Sequence, residues 1–393
     1  MPPFLAAYLA QSVLSVVNKS NANLCVIDPA CGDGALLRAF NFELAATNAV
    51  VTVDYVGIDK DPTAIKEARS QLPSQNTRLL CRDFVAHKGW HKQPGQRQVI
   101  LSNPPWGASL VDYSRDDLRR RYEVAKGQFD IFDLFVEGIL ENCADGDVFG
   151  LILPDSIFAH EHELIRRMLL GASTLHLVAR LGEKLFSGVN RGCTVFVGEK
   201  GSSPNGHLVT CFRLNRLHRD RVLEGSGTLQ EAQRALAHQV PQRRFSENNN
   251  STIDLDLDIK ERAFSRMSRF NSRFADFVTT HRGVELSKKG KVGECPNCGL
   301  WMPFPTNPVP RCPHCKLEVD LEKANVSHIV LDHNGRGNLP FKVGEDLFRY
   351  TSQSRRWIDT TKTGINYKPL ELYMGPKILV RKTGIGITAS LDY

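Results

Sequence analysis

Asp28-Pro29-Ala30-Cys31-Gly32-Asp33-Gly34 follows the apolar run Leu24–Asp28 and opens a helix-forming stretch that ends near Ala46. A short buried strand turning through glycines into a helix is the junction where a doubly wound α/β sheet meets a nucleotide-like ligand. Glycine lets the backbone come close, and the helix start offers free N–H groups. The loop is not the dinucleotide pattern G-x-G-x-x-G, because Gly32 and Gly34 stand alone behind an acidic strand end. An acid is unhelpful beside a pyrophosphate and useful beside an ammonium group. Asp28, with Ala30, Gly32 and Gly34 in the turn, therefore points to a cofactor carrying an amino acid, such as S-adenosylmethionine.

Outward from this loop, strand-like and helix-like segments alternate. Leu5–Val17 reads as an amphipathic helix. Strands are expected at Val50–Asp59, Leu79–Cys81, Gln98–Ser102, Val148–Leu153, His176–Leu181 and Cys193–Val197. Helices are expected at Pro62–Gln71, Phe129–Cys143 and about Ser156–Leu170. With Leu24–Asp28 this makes an α/β sheet of about seven strands. Asp59 ends the strand after the loop, with Lys60 beside it, where a carboxylate accepts both hydroxyls of a ribose. Asp83 follows the third strand, placed for an adenine amine, with Phe84 beside the ring. The rival reading is three ordinary strand-end acids and a tight turn.

Ser102-Asn103-Pro104-Pro105-Trp106 ends the fourth strand on the same carboxyl edge. Two prolines fix the backbone and remove two donors, leaving carbonyls to be presented. The Asn103 side chain and the Pro104 main chain then form a pair of acceptors for an exocyclic amine. Holding both amine hydrogens favours a pyramidal nitrogen whose lone pair is free to attack a methyl sulfonium. Trp106 offers a flat face for a base to stack on, with Phe186 or Phe196 facing it.

The motifs DPACGDG, GID, CRDF and NPPW, in this order and spacing, resemble the amino-methylating DNA methyltransferases that make N6-methyladenine. Pro2-Pro3-Phe4-Leu5-Ala6 ahead of the loop is similar to that family's cofactor-carboxylate segment, so the resemblance implies Pro3 and Phe4 at the methionine end. The threonine normally found before the proline is absent. A catalytic domain placed first resembles the gamma arrangement of type II modification enzymes. The resemblance implies a Rossmann-like sheet followed by an α+β target-recognition region, double-stranded DNA as partner, and base flipping. It also implies a recognition region running beyond Leu391-Asp392-Tyr393. Either this chain is a piece, or a second polypeptide completes the region; a restriction endonuclease is the other partner implied.

Composition fits this division. The chain has 393 residues, 41% hydrophobic and 24% charged, which excludes disordered and coiled-coil classes. Residues 1–200 carry 21 Lys/Arg against 23 Asp/Glu, and residues 201–393 carry 29 against 20. A polyanion is expected to meet the basic second half. A composition shift sets the expected boundaries: catalytic domain 1–235, linker 236–274, recognition region 275–393. With no apolar run long enough for a membrane and no signal peptide, the expected setting is cytoplasmic. There, Cys295-x2-Cys298-x13-Cys312-x2-Cys315 within residues 293–318 reads as a structural zinc-ribbon-like site, since four thiolates leave no open position. His314 is read as a bystander. Asn297, Trp301, Lys288, Lys289 and Lys291 flank the site, as DNA contacts or as a solvated rim. His160-Glu161-His162 reads as helix surface, and the other six cysteines as small core hydrophobes. Two other functions compete: a glutamine-N5 protein methyltransferase, and a catalytically incomplete DNA-recognition or defence-complex subunit.

Overall fold

Alternating side chains decide the architecture. In Asn23–Asp28 (β1), Leu24 and Val26 enter one apolar cluster while Cys25 and Ile27 enter another. A strand buried on both faces must be central and helix-covered, as in a parallel sheet. The computed structural model describes residues 1–18, 23–47, 51–73, 75–90, 95–186, 188, 191–255, 276–284, 286, 290–305, 310–335, 338–381 and 387–392. It divides into two units, Met1–Ser268 and Arg269–Tyr393.

The first unit is built on a mixed sheet. Thr52–Asp59 (β2), Thr77–Cys81 (β3), Arg97–Ser102 (β4) and Val148–Pro154 (β5) run parallel to β1. Ser173–Gly182 (β6), Cys193–Lys200 (β7), Leu208–Arg213 (β8) and His238–Pro241 (β9) complete the order β3-β2-β1-β4-β5-β7-β6-β8-β9. β7 is antiparallel to both β5 and β6. Chain order reverses at β1, so the carboxyl ends of β1, β2 and β4 share one edge around a switch point.

Helices Pro3–Leu14 (α1), Ala35–Ala45 (α2) and Pro62–Gln71 (α3) contribute to one apolar cluster. Phe84–His87 (α4), Arg115–Arg121 (α5), Ile131–Asn142 (α6) and Glu163–Ala172 (α7) contribute to the other. Gly150 of β5 makes room for α1. A β-carbon there would press on Val13 and lie 2.9 Å from Leu9 Cδ1.

Nine strands, rather than about seven, make this sheet. The two extra strands lie past the last strand expected from the sequence. β8 pairs parallel with β6 and β9 antiparallel with β8. The linker expected from residue 236 is likewise corrected, because β9 lies inside it. Its sequence is polar because an edge strand buries little, here Val240 alone. Beyond it the buried Gln242 side chain accepts from Leu175 N at 2.8 Å and donates to Ser173 O at 2.7 Å. Ile253 and Leu255 are buried too.

In the second unit the described residues form short antiparallel pairs. Lys291–Glu294 sits between Trp301–Pro303 and Val326–His328, and Arg356–Ile358 between Val330–Leu331 and Leu339–Phe341. Lys377–Val380 pairs with Ala389–Asp392. Among these described residues there is no α-helix, where an α+β region was expected. Frequent glycines and prolines keep the segments too short for one. No helix among the described residues of the chain is long and apolar enough to cross a membrane.

Candidate active site

Asp28 closes β1 and is buried, its Oδ1 accepting from Ala30 N at 3.0 Å. Asp59 ties the glycine loop to β2: its Oδ2 accepts from Gly32 N at 2.8 Å, and its Oδ1 from Asp61 N at 2.9 Å. Cys31 N donates to Ile58 O at 2.9 Å in the same seam. Gly32 and Gly34 have φ of +52° and +81°, a region costly for any residue with a β-carbon. Space around Gly32 is open, whereas a β-carbon at Gly34 would stand 2.9 Å from Leu72 Cδ1. Lys60 is exposed. Pro3 and Phe4 form the first turn of α1, and Phe4 packs on the apolar cluster that also receives Trp106 and Phe186.

Burial pushes the Asp28 carboxyl up to about 8, with Asp59 and Asp33 adding to the rise and the Ala30 N–H opposing it. No cation among the described residues is hydrogen-bonded to it. Between the ordinary carboxylate value and about 8, native Asp28 keeps a proton that the unfolded chain has released. Stability from this group is therefore present at low pH and lost as pH rises through that window. Asp28→Asn should flatten this dependence and raise stability at pH 8, by on the order of a few kcal/mol. Denaturant unfolding of both proteins at pH 5 and pH 8 measures it; an unchanged difference between the two pH values would remove Asp28 as the cause.

Asp83 caps α4, accepting from Ala86 N at 3.2 Å. Its Oδ2 also accepts from the Tyr113 hydroxyl at 2.7 Å, a partner thirty residues away that no sequence pattern announced. Burial, then the bond to Asp83, raises the Tyr113 hydroxyl well above its ordinary value. Phe84 is the first residue of α4. It is 2% exposed, with Phe135 at 5.0 Å and Trp90 at 6.0 Å between ring centroids. Its ring joins the apolar cluster to which α6 also contributes.

Asn103 follows β4. Its Oδ1 is buried and meets no hydrogen-bond donor among the described residues, and neither does the buried Nε1 of Trp106 meet an acceptor there. A buried acceptor left without a partner costs about 1–3 kcal/mol, so its retention argues for a partner that comes and goes. Pro104 is buried and Pro105 half-buried. Trp106 meets Phe186 edge-on, 5.2 Å between centroids and 81° between planes. Phe196, the alternative partner, is 0% exposed within β7 and its ring neighbour is Phe158, 6.4 Å between centroids.

Beyond Trp106, a cavity of about 560 Å³ is lined by Gly107, Asp130, Asp155, His162, Arg191 and Gly192, among others. Gly107 N donates to both oxygens of Asp130, at 2.9 and 3.1 Å. Arg191 lies so near Gly107 that a β-carbon there would collide with its guanidinium. Asp155 is held by Arg180 Nε at 2.8 Å and the Thr194 hydroxyl at 2.7 Å. The helix-surface reading of His160-Glu161-His162 holds for the first two, which are exposed. His162 is buried and bonded through Nδ1 to Asp133 Oδ2 at 2.7 Å. Among the six cysteines read as core, Cys81 is exposed, since β3 is an edge strand.

In the second unit the sulfurs of Cys295, Cys298, Cys312 and Cys315 all lie within 4.8 Å of one another. Two cross pairs, Cys295–Cys315 and Cys298–Cys312, are each 3.8 Å apart. A tetrahedron with ~2.3 Å zinc–sulfur bonds has edges of roughly 3.8 Å, so the donor set fits that ion. The two turns are alike: Gly299 N donates to Cys295 O at 2.8 Å and Lys316 N to Cys312 O at 3.0 Å. Gly299 and Lys316 both adopt positive φ. The His314 ring lies 3.3 Å from the Trp301 carbonyl. Lys362 stacks over the Trp301 ring and Lys291 over Phe304, at 4.5 and 3.7 Å. Asn297 donates to Glu318 O. Lys288 and Lys289 lie outside the described residues.

Comparison with known proteins adds to this geometry. Over 207 residues, 25% are identical to the type II methyltransferase M.BanIII of Aneurinibacillus aneurinilyticus, covering 48% of this chain and 36% of that protein. With the type II methyltransferase M.VspI of Vibrio sp. (strain 343), identity is 22%, covering 65% and 58%. The chain thus spans well under two thirds of the length of these relatives. Among solved structures, the methyltransferase subunit of a type I restriction-modification system from Streptococcus thermophilus aligns with a TM-score of 0.48 at 18% identity, covering 64% of this chain and 57% of that one. The family model described as N-6 DNA Methylase matches residues 6–215, more than half of the sequence, from within α1 through β8. This chain belongs to the N-6 DNA Methylase family.

Proposed function

We propose that this protein is a site-specific DNA methyltransferase that modifies the N6 amine of a flipped-out adenine, in the gamma arrangement, within a restriction-modification or related defence system. The observation that carries the reading is Asn103 Oδ1, a buried acceptor without a donor among the described residues, at the end of β4 and three residues before Trp106, which packs on Phe186. S-adenosylmethionine, when bound, supplies an electrophilic methyl group on a sulfonium. Asp28, buried with no cation among the described residues bonded to it, would hold the ammonium, and Asp59 the ribose hydroxyls through lone pairs left beside its two backbone bonds. Asp83 serves the adenine amine. Ala30, Gly32 and Gly34 leave room for the ligand's backbone-side approach, and Pro3, Phe4 and Lys60 border it. Asn103 and the Pro104 carbonyl take the two hydrogens of the target amine and free its lone pair. Pro105 stiffens the turn, and Trp106 with Phe186 receives the base.

The unit Met1–Ser268 does the chemistry in this reading. The unit Arg269–Tyr393 reads double-stranded DNA, with zinc on its four cysteines, a second polypeptide completing recognition, and a restriction endonuclease as companion. Asp59→Ala should weaken S-adenosylmethionine binding by about 1–3 kcal/mol, the worth of hydrogen bonds to a charged acceptor. Calorimetry giving equal affinity would mean that the ribose is held elsewhere. The whole reading is tested by incubating the protein with cofactor and plasmid DNA and mapping modified bases by single-molecule sequencing. N6-methyladenine at one recurring sequence is the expected result. Unmodified DNA, with methyl transferred to a protein glutamine instead, would overturn it.

A further inference from the structure

We propose that His162 is a positioning residue: through Asp133 and Asp130 it holds the backbone that follows Trp106. This rests on the reading of Trp106 as the base-receiving residue. The contacts form an unbroken series. His162 Nδ1 lies 2.7 Å from Asp133 Oδ2. The same Oδ2 accepts from Asp130 N at 2.8 Å, half of a capping box that starts α6. The Asp130 carboxylate in turn accepts from Gly107 N with both oxygens. Gly107 is covalently next to Trp106.

A capping box needs two residues, and Asp130 and Asp133 supply both. His162 is additional, and it is buried at 6% exposure on the wall of the cavity that Gly107 and Asp130 also line. Asp133 is 1% exposed, and its Oδ1 is buried without a partner. His162 is therefore the only side chain among the described residues bonded to this carboxylate. Removing its N–H leaves a buried acid whose better option is to turn toward water or take a proton. Either change gives up the bond from Asp130 N, and with it the orientation that lets Asp130 chelate Gly107. Phe132 packs against the imidazole, 4.8 Å between centroids, which holds the ring but supplies no donor.

Three variants of the full chain test this. His162→Ala removes donor and ring, His162→Phe keeps a ring against Phe132 without a donor, and His162→Asn restores an N–H at similar reach. Hydrogen exchange at the Gly107 amide reads the proposed bond without requiring activity. It should speed by about tenfold or more in H162A and H162F and stay near the parent in H162N. Single-turnover methylation at saturating cofactor should fall by about tenfold or more in the first two and recover in H162N, with cofactor affinity within about twofold throughout. A histidine acting only in stability would lower cofactor affinity together with rate and would not be rescued by asparagine. Parent-like exchange at Gly107 in H162F, or H162N exchanging as fast as H162F, would overturn the proposal. A parent enzyme that methylates nothing would overturn the functional reading, while the exchange result would still decide the role of His162.

Discussion

Asn103→Ala is expected to lower the rate of methyl transfer by at least ~10²-fold while leaving S-adenosylmethionine affinity within a few-fold, because it removes an acceptor needed where charge develops. An exocyclic amine delocalises its lone pair into the base, so its hydrogens must be held out of the ring plane before nitrogen attacks. Asn103 Oδ1 is suited to that because it is already dehydrated and already unpaired, so no protein bond must break first. The parts assigned to the cofactor do not depend on it. Asp28 is positioned by Ala30 N, and Asp59 by the amides of Gly32 and Asp61. Asn103→Asp separates acceptor from amide: it keeps an oxygen but places a buried charge beside the amine. Single-turnover rates and calorimetric cofactor affinities of the three proteins decide the matter. Alanine turning over like the parent would end the role given to Asn103, and a parallel collapse of cofactor affinity would move that role to the cofactor.

Much of this site was legible because strand ends announce themselves. Asp28, Asp59 and Asn103 each close an apolar run that reads as a buried strand, and a parallel sheet gathers such ends on one edge. What escaped the sequence depends on contacts between distant segments. Tyr113 reaches Asp83 across thirty residues, and His162 reaches Asp133 across twenty-nine. Neither pair shares an element whose period would reveal it. The ring contacts of Phe84 are of the same kind: it stands beside Asp83, but one step into a helix turns the next side chain by about 100°. That step carries Phe84 onto Trp90 and Phe135. β9 was lost because an edge strand needs few apolar residues, and His238–Pro241 has only Val240 to bury.

Zinc removal should have a comparably large effect, confined to the other unit. Among the described residues, the apolar cluster around the thiols holds Cys295, Met302, Cys312 and Val319 as its buried members, two of them the proposed ligands. Four residues cannot offset the ordering cost of the two cysteine turns, while the strands Lys291–Glu294 and Trp301–Pro303 also draw on a second apolar cluster through Val292 and Trp301. Structural zinc contributes about 10–16 kcal/mol in comparably small motifs at neutral pH, enough to decide whether such a region folds. The intact chain is therefore expected to bind one zinc, and Cys312→Ser or a strong chelator to release it. With the metal should go the ordered environment of Trp301, whose N–H donates to Thr363 O at 2.8 Å and whose ring lies under Lys362. The excess of positive charge in residues 201–393 predicts that DNA affinity falls steeply with salt, and that losing zinc weakens this binding and flattens its salt slope. Cofactor affinity should hardly move, since Asp28, Asp59 and the glycine loop belong to the sheet unit and the four cysteines to the other. Zinc content, near-ultraviolet circular dichroism, salt titrations of DNA binding and calorimetry of cofactor binding, all on the full chain, read the four consequences separately. A zinc-free protein that kept its salt-dependent DNA affinity would place the DNA-binding surface away from the four-cysteine site, and loss of cofactor binding on chelation would overturn the division of labour between the units.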